Sequence, residues 1–138
     1  MEKVIKCPVS NRVIELDVDA DSWFVTIEGA CYLIGDESDN AVLAVLPFLE
    51  IPIQDFKKSV SEFLIKYPGS IFPYEVFIHA GFKHGSPHWT DCALEWLSGL
   101  NHKPESDFSK ELEIIVQKKK RYSQKSRHLA WKLLKRGY

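Results

Sequence analysis

Residues 79–92, HAGFKHGSPHWTDC, place three histidines, a cysteine and an aspartate within fourteen positions. His84, His88 and Cys92 recur every four residues, the interval that puts metal ligands on one helical face. Histidine and cysteine can also form a nucleophile pair, favoured when the thiol lies at a helix N-terminus beside a positive charge. Both schemes meet obstacles in the sequence itself. Ser86 suits a helix N-cap and Pro87 the first helical position, so His84 falls outside the helix. His88 and Cys92 alone make an incomplete zinc site, and His79 or His102 would have to approach through space. Cys92 borders the apolar face of Trp89, Ala93, Trp96, Leu97 and Leu100, where a thiol behaves as a small hydrophobe, and the adjacent Asp91 would raise its pKa. The stretch reads as a turn bounded by Gly81 and Gly85, followed by a capped helix. No metal or cofactor is expected, and a metal-dependent enzyme built on His84, His88 and Cys92 is an alternative only.

A second pattern is acidic. In DVDADSWFVTIE, Asp17, Asp19 and Asp21 occupy positions 1, 3 and 5 of a twelve-residue window and Glu28 position 12. This spacing resembles an EF-hand calcium loop. Ser22 stands where that loop requires glycine, and no helical pattern precedes Asp17, so the calcium ligands are not carried over. As a strand, the stretch sends Glu15, Asp17, Asp19 and Asp21 to one face and Leu16, Val18 and Ala20 to the other, with successive carboxylates about 6.6 Å apart. Together with Asp36, Glu37 and Asp39 of the loop DESDN, this ladder predicts a docking surface for a cationic protein. An edge strand whose charges deter aggregation is the simpler alternative.

The net charge of −1 conceals a strong polarity. Residues 1–56 hold 3 Lys/Arg against 11 Asp/Glu, whereas residues 103–138 hold 11 against 4. On a helix over 107–136, Phe108, Leu112, Ile115, Val116, Tyr122, Leu129, Ala130, Leu133 and Leu134 keep phase on one stripe. Lys118, Arg121, Lys125, Lys132, Lys135 and Arg136 gather on the other side, a basic stripe of roughly 27 Å. Only Tyr122 holds the apolar stripe between Lys119 and Ser126, so two helices breaking near Ser123 fit as well. The basic stripe could track nucleic-acid phosphates. The sequence pI near 6.5 and the lack of a DNA- or RNA-binding motif make this the alternative.

These patterns belong to a predicted α+β fold, a single domain of 138 residues with a β-rich acidic part (1–50), a mixed part (51–102) and the basic helix. An N-terminal antiparallel sheet, with a further strand near 74–80, is expected to carry one layer of three helices at about 53–67, 87–99 and 107–136. The state of residues 41–52 is open. Phe56, Val60, Phe63, Trp89, Trp96, Leu112, Ile115 and Leu133 are the expected core. Cys7, Cys31 and Cys92 are odd in number and far apart, which fits reduced thiols in the cytoplasm rather than a disulfide framework. There is no signal-peptide pattern and no apolar run approaching eighteen residues, so no membrane partner is expected. Phosphate-loop, dinucleotide, nucleophile-elbow and H-E-x-x-H motifs are missing. The sequence therefore points to a non-enzymatic protein-binding protein, most concretely a bacterial immunity or antitoxin-type inhibitor. Its partner would be a basic toxin, in particular a nuclease domain.

Overall fold

The computed structural model describes residues 2–8 and 10–138, with the backbone alone described at Lys3. Strands β1 (Glu2–Lys6), β2 (Arg12–Asp17), β3 (Ser22–Ile27) and β4 (Ala30–Leu33) form an antiparallel meander in the order β1-β2-β3-β4. Period-2 alternation sets its faces. Ile14, Leu16, Trp23 and Val25 are buried, while Val13, Glu15, Phe24 and Thr26 between them are only partly covered. Glu28 and Gly29 join β3 to β4 with φ of 47° and 88°. Positive φ at both central residues is the two-residue turn that matches strand twist, and glycine adopts it without strain. The calcium-loop-like window is thus the turn 18–21 followed by β3, with Glu28 in the next turn at the opposite end of that strand from the aspartates.

Six α-helices follow, not three: α1 (Asp39–Val45), α2 (Ile53–Leu64), α3 (Tyr74–His84), α4 (Pro87–Gly99), α5 (Ser109–Gln117) and α6 (Gln124–Lys135). A 3-10 helix, Leu46–Glu50, lies between α1 and α2, so of the unsettled residues 41–52 those from 41 to 50 are helical, and extended Ile51 and Pro52 lead into α2. Nor do the helices form one layer. α1 and α2 make the main helix contacts with the sheet, α3 and α4 pack on each other and on the 3-10 helix, and α6 links the α5–α6 pair to α4.

Two expected elements are corrected. Residues 74–80 are helical, because Tyr74, Phe77, Ile78 and Gly81 share a face at i, i+3, i+4 and i+7 and the last three are buried. Reading Gly81 as a turn residue interrupts that period and leaves the β-prone letters YEVFI to mislead; burial overrides their propensity. Helix 107–136 is broken between Gln117 and Gln124. Lys118, Lys119, Lys120 and Arg121 offer no apolar side chain to hold a continuous helix on the core. Ser123 instead caps α6, its Oγ accepting from the Ser126 N–H at 3.1 Å.

The buried residues form one cluster spanning sheet and helices. Its centre is aromatic: Phe56 lies 4.7 Å from Trp96, 5.3 Å from Phe72 and 5.8 Å from Phe77, centroid to centroid. Two indoles that enter the core keep a partner for their N–H, Trp23 donating to the Ile71 carbonyl and Trp96 to that of Ile51, each at 3.0 Å. Of the expected core, Phe56, Val60, Trp96, Leu112, Ile115 and Leu133 are buried, while Phe63 and Trp89 are half-buried at its margin.

Gly81 earns its place at the α3–α4 contact. A Cβ there would meet the Ala93 Cβ at 2.7 Å and the Trp89 carbonyl oxygen at 2.9 Å, neither of which can swing away. Gly81→Ala is predicted to cost about 1–3 kcal/mol by overpacking. That outweighs the ~1 kcal/mol alanine gains over glycine inside a helix. Urea denaturation checks this, and an unchanged or higher midpoint would refute the close approach.

Candidate partner-binding surfaces

The structure separates the histidine–cysteine candidates. His84 ends α3 and is exposed, followed by Gly85 in the left-handed conformation at φ 76°. His79 is half-buried on α3 with its ring centroid 4.4 Å from that of Phe108. His88 begins α4 as expected, after the Ser86 cap, but its Nε2 pairs with Glu50 Oε1 at 2.9 Å rather than with Cys92. Cys92 is half-buried and makes no hydrogen bond to His88. Burial, then the negative charges of Glu50, Asp91 and Glu95, push its thiol up to about 11. Among the described residues no group of three or more His, Cys, Asp or Glu could hold a metal ion.

This pKa gives a direct prediction. At pH 8 Cys92 stays almost wholly in the thiol form, and the thiolate is the reactive form. Residue-resolved alkylation should label exposed Cys31 first, with Cys92 slow at pH 8 and accelerating toward pH 11. Labelling of Cys92 as fast as Cys31 at pH 8 would contradict the assigned environment.

The acidic residues are rearranged but brought together. Glu15 and Asp17 stand on β2, with Lys3 opposite Glu15 in register. β2 ends at Asp17, so Asp19 and Asp21 lie in the turn 18–21 and the expected four-carboxylate ladder stops at two rungs. The chain turns where aspartates can bond their own backbone. Asp17 Oδ1 accepts from the Ala20 N–H at 3.2 Å, and Asp21, at φ 49°, accepts from Ser70 Oγ at 3.0 Å. The second acidic stretch follows β4. Asp36 accepts from the Ser38 N–H and hydroxyl at 3.2 and 3.3 Å, Ser38 caps α1, and Asp39 occupies the first turn, where the helix dipole favours it. Meander topology places both stretches at one end of the sheet. Asp17 pairs with Ser22 and Phe24 with Leu33, and the Ile34 N–H donates to the Trp23 carbonyl at 2.9 Å.

A cavity of about 530 Å³ opens beside this end. Asp36 and Glu37 line it, as do the apolar side chains of Val42, Val45 and Phe82, with Glu111 contributed by α5. Lys83 closes one side by donating its Nζ to the Glu37 carbonyl at 2.9 Å. Glu111 Oε2 is shielded from solvent without a hydrogen-bond donor. Sequence reading misses this cavity, because Glu111 is far along the chain from the acidic segments and its half-buried place on α5 is its only signal.

The basic residues are also redistributed. Lys118 lies just past the end of α5 and Lys119 and Lys120 are exposed in the turn, so the continuous 27 Å stripe does not exist. Arg121 is committed to structure: its Nε donates to the Gly85 carbonyl at 3.0 Å, which also receives the Tyr122 hydroxyl at 3.1 Å. Lys125, Lys132, Lys135 and Arg136 remain exposed on or just beyond α6. Trp131 is 44% exposed among them.

No salt bridge joins the two charged ends among the described side chains. Among the described side chains the His88–Glu50 hydrogen bond is the only contact that could be an ion pair, and no Lys or Arg lies within bridging distance of a carboxylate. No helix among the described residues is long and apolar enough to cross a membrane. No family model, curated protein or solved structure matches the chain.

Proposed function

We propose that this protein is a non-enzymatic, cytoplasmic inhibitor of the immunity or antitoxin type, which blocks a basic partner through the acidic end of its sheet. The partner in its most concrete form is a nuclease toxin, whose phosphate-binding groove accepts a cluster of carboxylates. One observation carries the reading: two acidic stretches lie at one end of the sheet, and among the described side chains none of their carboxylates forms a salt bridge with a Lys or Arg, Lys83 reaching only the Glu37 backbone carbonyl. Such a surface favours rapid, selective encounter with a cation-rich protein. The adjoining cavity supports the same reading. Its aliphatic walls suit the stem of a partner lysine or arginine, and its carboxylates suit the charged head.

Affinity capture from the native cells tests this. The tagged protein is compared with an Asp19→Asn, Glu37→Gln, Asp39→Asn variant. A single stoichiometric basic protein, toxic when expressed alone and lost with the variant, is expected. Retention of the same partner by the variant would place the interface elsewhere, and an acidic or neutral partner would end the inhibitor reading.

A further inference from the structure

The face of α6 turned away from the core combines a planar platform with cations, and the inhibitor reading uses none of it. Residues 114–138 hold nine Lys or Arg and no Asp or Glu. Within this segment, Lys125, His128, Trp131, Lys132 and Lys135 are exposed and fall within about 120° of arc at 100° per residue. The Trp131 indole is 44% exposed, a large expanse for a residue that normally sits in cores. The His128 ring lies nearly parallel to it, at 18° with centroids 6.0 Å apart, and Lys135 Nζ sits 4.2 Å from the indole centroid. These two contacts restrain the indole, and a base would stack on the part of the ring that they leave exposed. Beside it runs a groove of about 690 Å³, which Val116 of α5 lines together with Gln124, Lys125, Arg127, His128 and Trp131.

We infer that this groove binds single-stranded nucleic acid, with a base stacked on Trp131 and the flanking phosphates on Lys125, Lys132 and the Lys119–Lys120 turn. The pairing of an aromatic platform with a cationic track is what strand binding requires without a sequence-reading motif. A duplex keeps its base faces stacked on one another, so a lone indole platform has no use on it. A lipid surface would call for an exposed aliphatic face. On α6 the aliphatic side chains Ala130 and Leu133 are buried and Leu129 and Leu134 half-buried, leaving Trp131 as the one exposed apolar residue. An acidic protein would satisfy the charges but gives no reason for the indole to be held open. The low overall pI does not oppose the inference: α6 itself carries no carboxylate, and although Asp91 accepts from the Ser126 hydroxyl and lines a small cavity with Glu95 and Lys125, neither forms a salt bridge with a Lys or Arg of this segment.

Fluorescence anisotropy with end-labelled twelve-residue oligo-uridine and oligo-deoxythymidine, at 50 and 200 mM salt, tests the inference. Four phosphate contacts on a single strand predict a loss of roughly fiftyfold in affinity over that range. Trp131→Ala should weaken binding by about five- to a hundredfold with the salt slope retained. Trp131→Phe should restore most of it, and a Lys125→Ala, Lys132→Ala pair should flatten the slope by about one to two units. Three results would overturn the inference. They are no binding at 50 mM salt, Trp131→Ala binding as the parent does, and competition by phosphatidylserine vesicles that exceeds competition by unlabelled oligonucleotide. Because Trp131 is exposed, its replacement leaves the fold in place, and unchanged far-ultraviolet circular dichroism verifies this for every variant.

Discussion

Neutralising Asp19, Glu37 and Asp39 together should slow association with the basic partner by roughly ten- to a hundredfold at 20 mM salt, while dissociation changes little. Charges that meet a partner across water act mainly on the encounter rate, by about 10 to 10³-fold when they line one surface. These three are suited to the test because all are exposed. None makes a side-chain hydrogen bond to another part of the fold, whereas Asp36 braces Ser38 and Asp21 holds Ser70. The effect should shrink as salt rises to 300 mM, where the screening length falls below that at physiological strength. Surface plasmon resonance at both ionic strengths separates the rates. An association rate equal to that of the parent at low salt would show that this end of the sheet does not face the partner. A change confined to dissociation would shift the contact from long-range steering to direct burial, with Glu37 beside the cavity as the first residue to re-examine.

Trp96→Ala should remove most of the folding stability. Its side chain is 1% exposed and touches Phe56 at 4.7 Å and Phe77 at 5.6 Å between ring centroids, and its Nε1 satisfies the Ile51 carbonyl at 3.0 Å. Truncating a buried tryptophan costs about 3–5 kcal/mol through lost transfer energy and the cavity left behind. Ile51 also loses a hydrogen bond, for about 1 kcal/mol more. Small domains have only about 5–15 kcal/mol to lose. Trp131→Ala, by contrast, should stay within about 0.5 kcal/mol of the parent because its side chain is half open to water. Chemical denaturation of the two variants side by side checks both statements. Similar midpoints would mean that Trp96 is not the centre of the core.

What the residues reveal in advance depends on how local the information is. Ser86 and Pro87 announce the start of α4, and alternation at Ile14, Leu16, Trp23 and Val25 announces the sheet, since caps and pleats are set by neighbours in sequence. Helix α3 is harder because YEVFIHA satisfies the composition of a strand. Its helical period appears only when Gly81 is counted as a packing residue, and that depends on Ala93 and Trp89 across the interface. The same holds at the candidate site. The acidic segments can be picked out by composition, yet their meeting at one end of the sheet follows from meander topology, and Glu111 joins them only through the α5 packing. Of the basic stripe, sequence finds the cations but not the break. Lys118 to Arg121 would continue a helix well enough in isolation, and the anchor that turns the chain there is the Gly85 carbonyl, thirty-six residues from Arg121.

That carbonyl has a mechanical meaning. Gly85 is the corner between α3 and α4, and Arg121 and Tyr122 are the corner between α5 and α6, so two bends in the chain are clasped to each other at a single oxygen atom. Helix pairs joined only by side-chain packing can slide by fractions of an ångström. Here the clasp is joined by a second, the Ser126 hydroxyl of α6 donating to Asp91 of α4, so the two pairs are pinned at separate points. The α5–α6 pair, which gives Glu111 to the cavity beside the acidic end and Trp131 to the groove on α6, is therefore a braced beam whose two surfaces keep a fixed spacing.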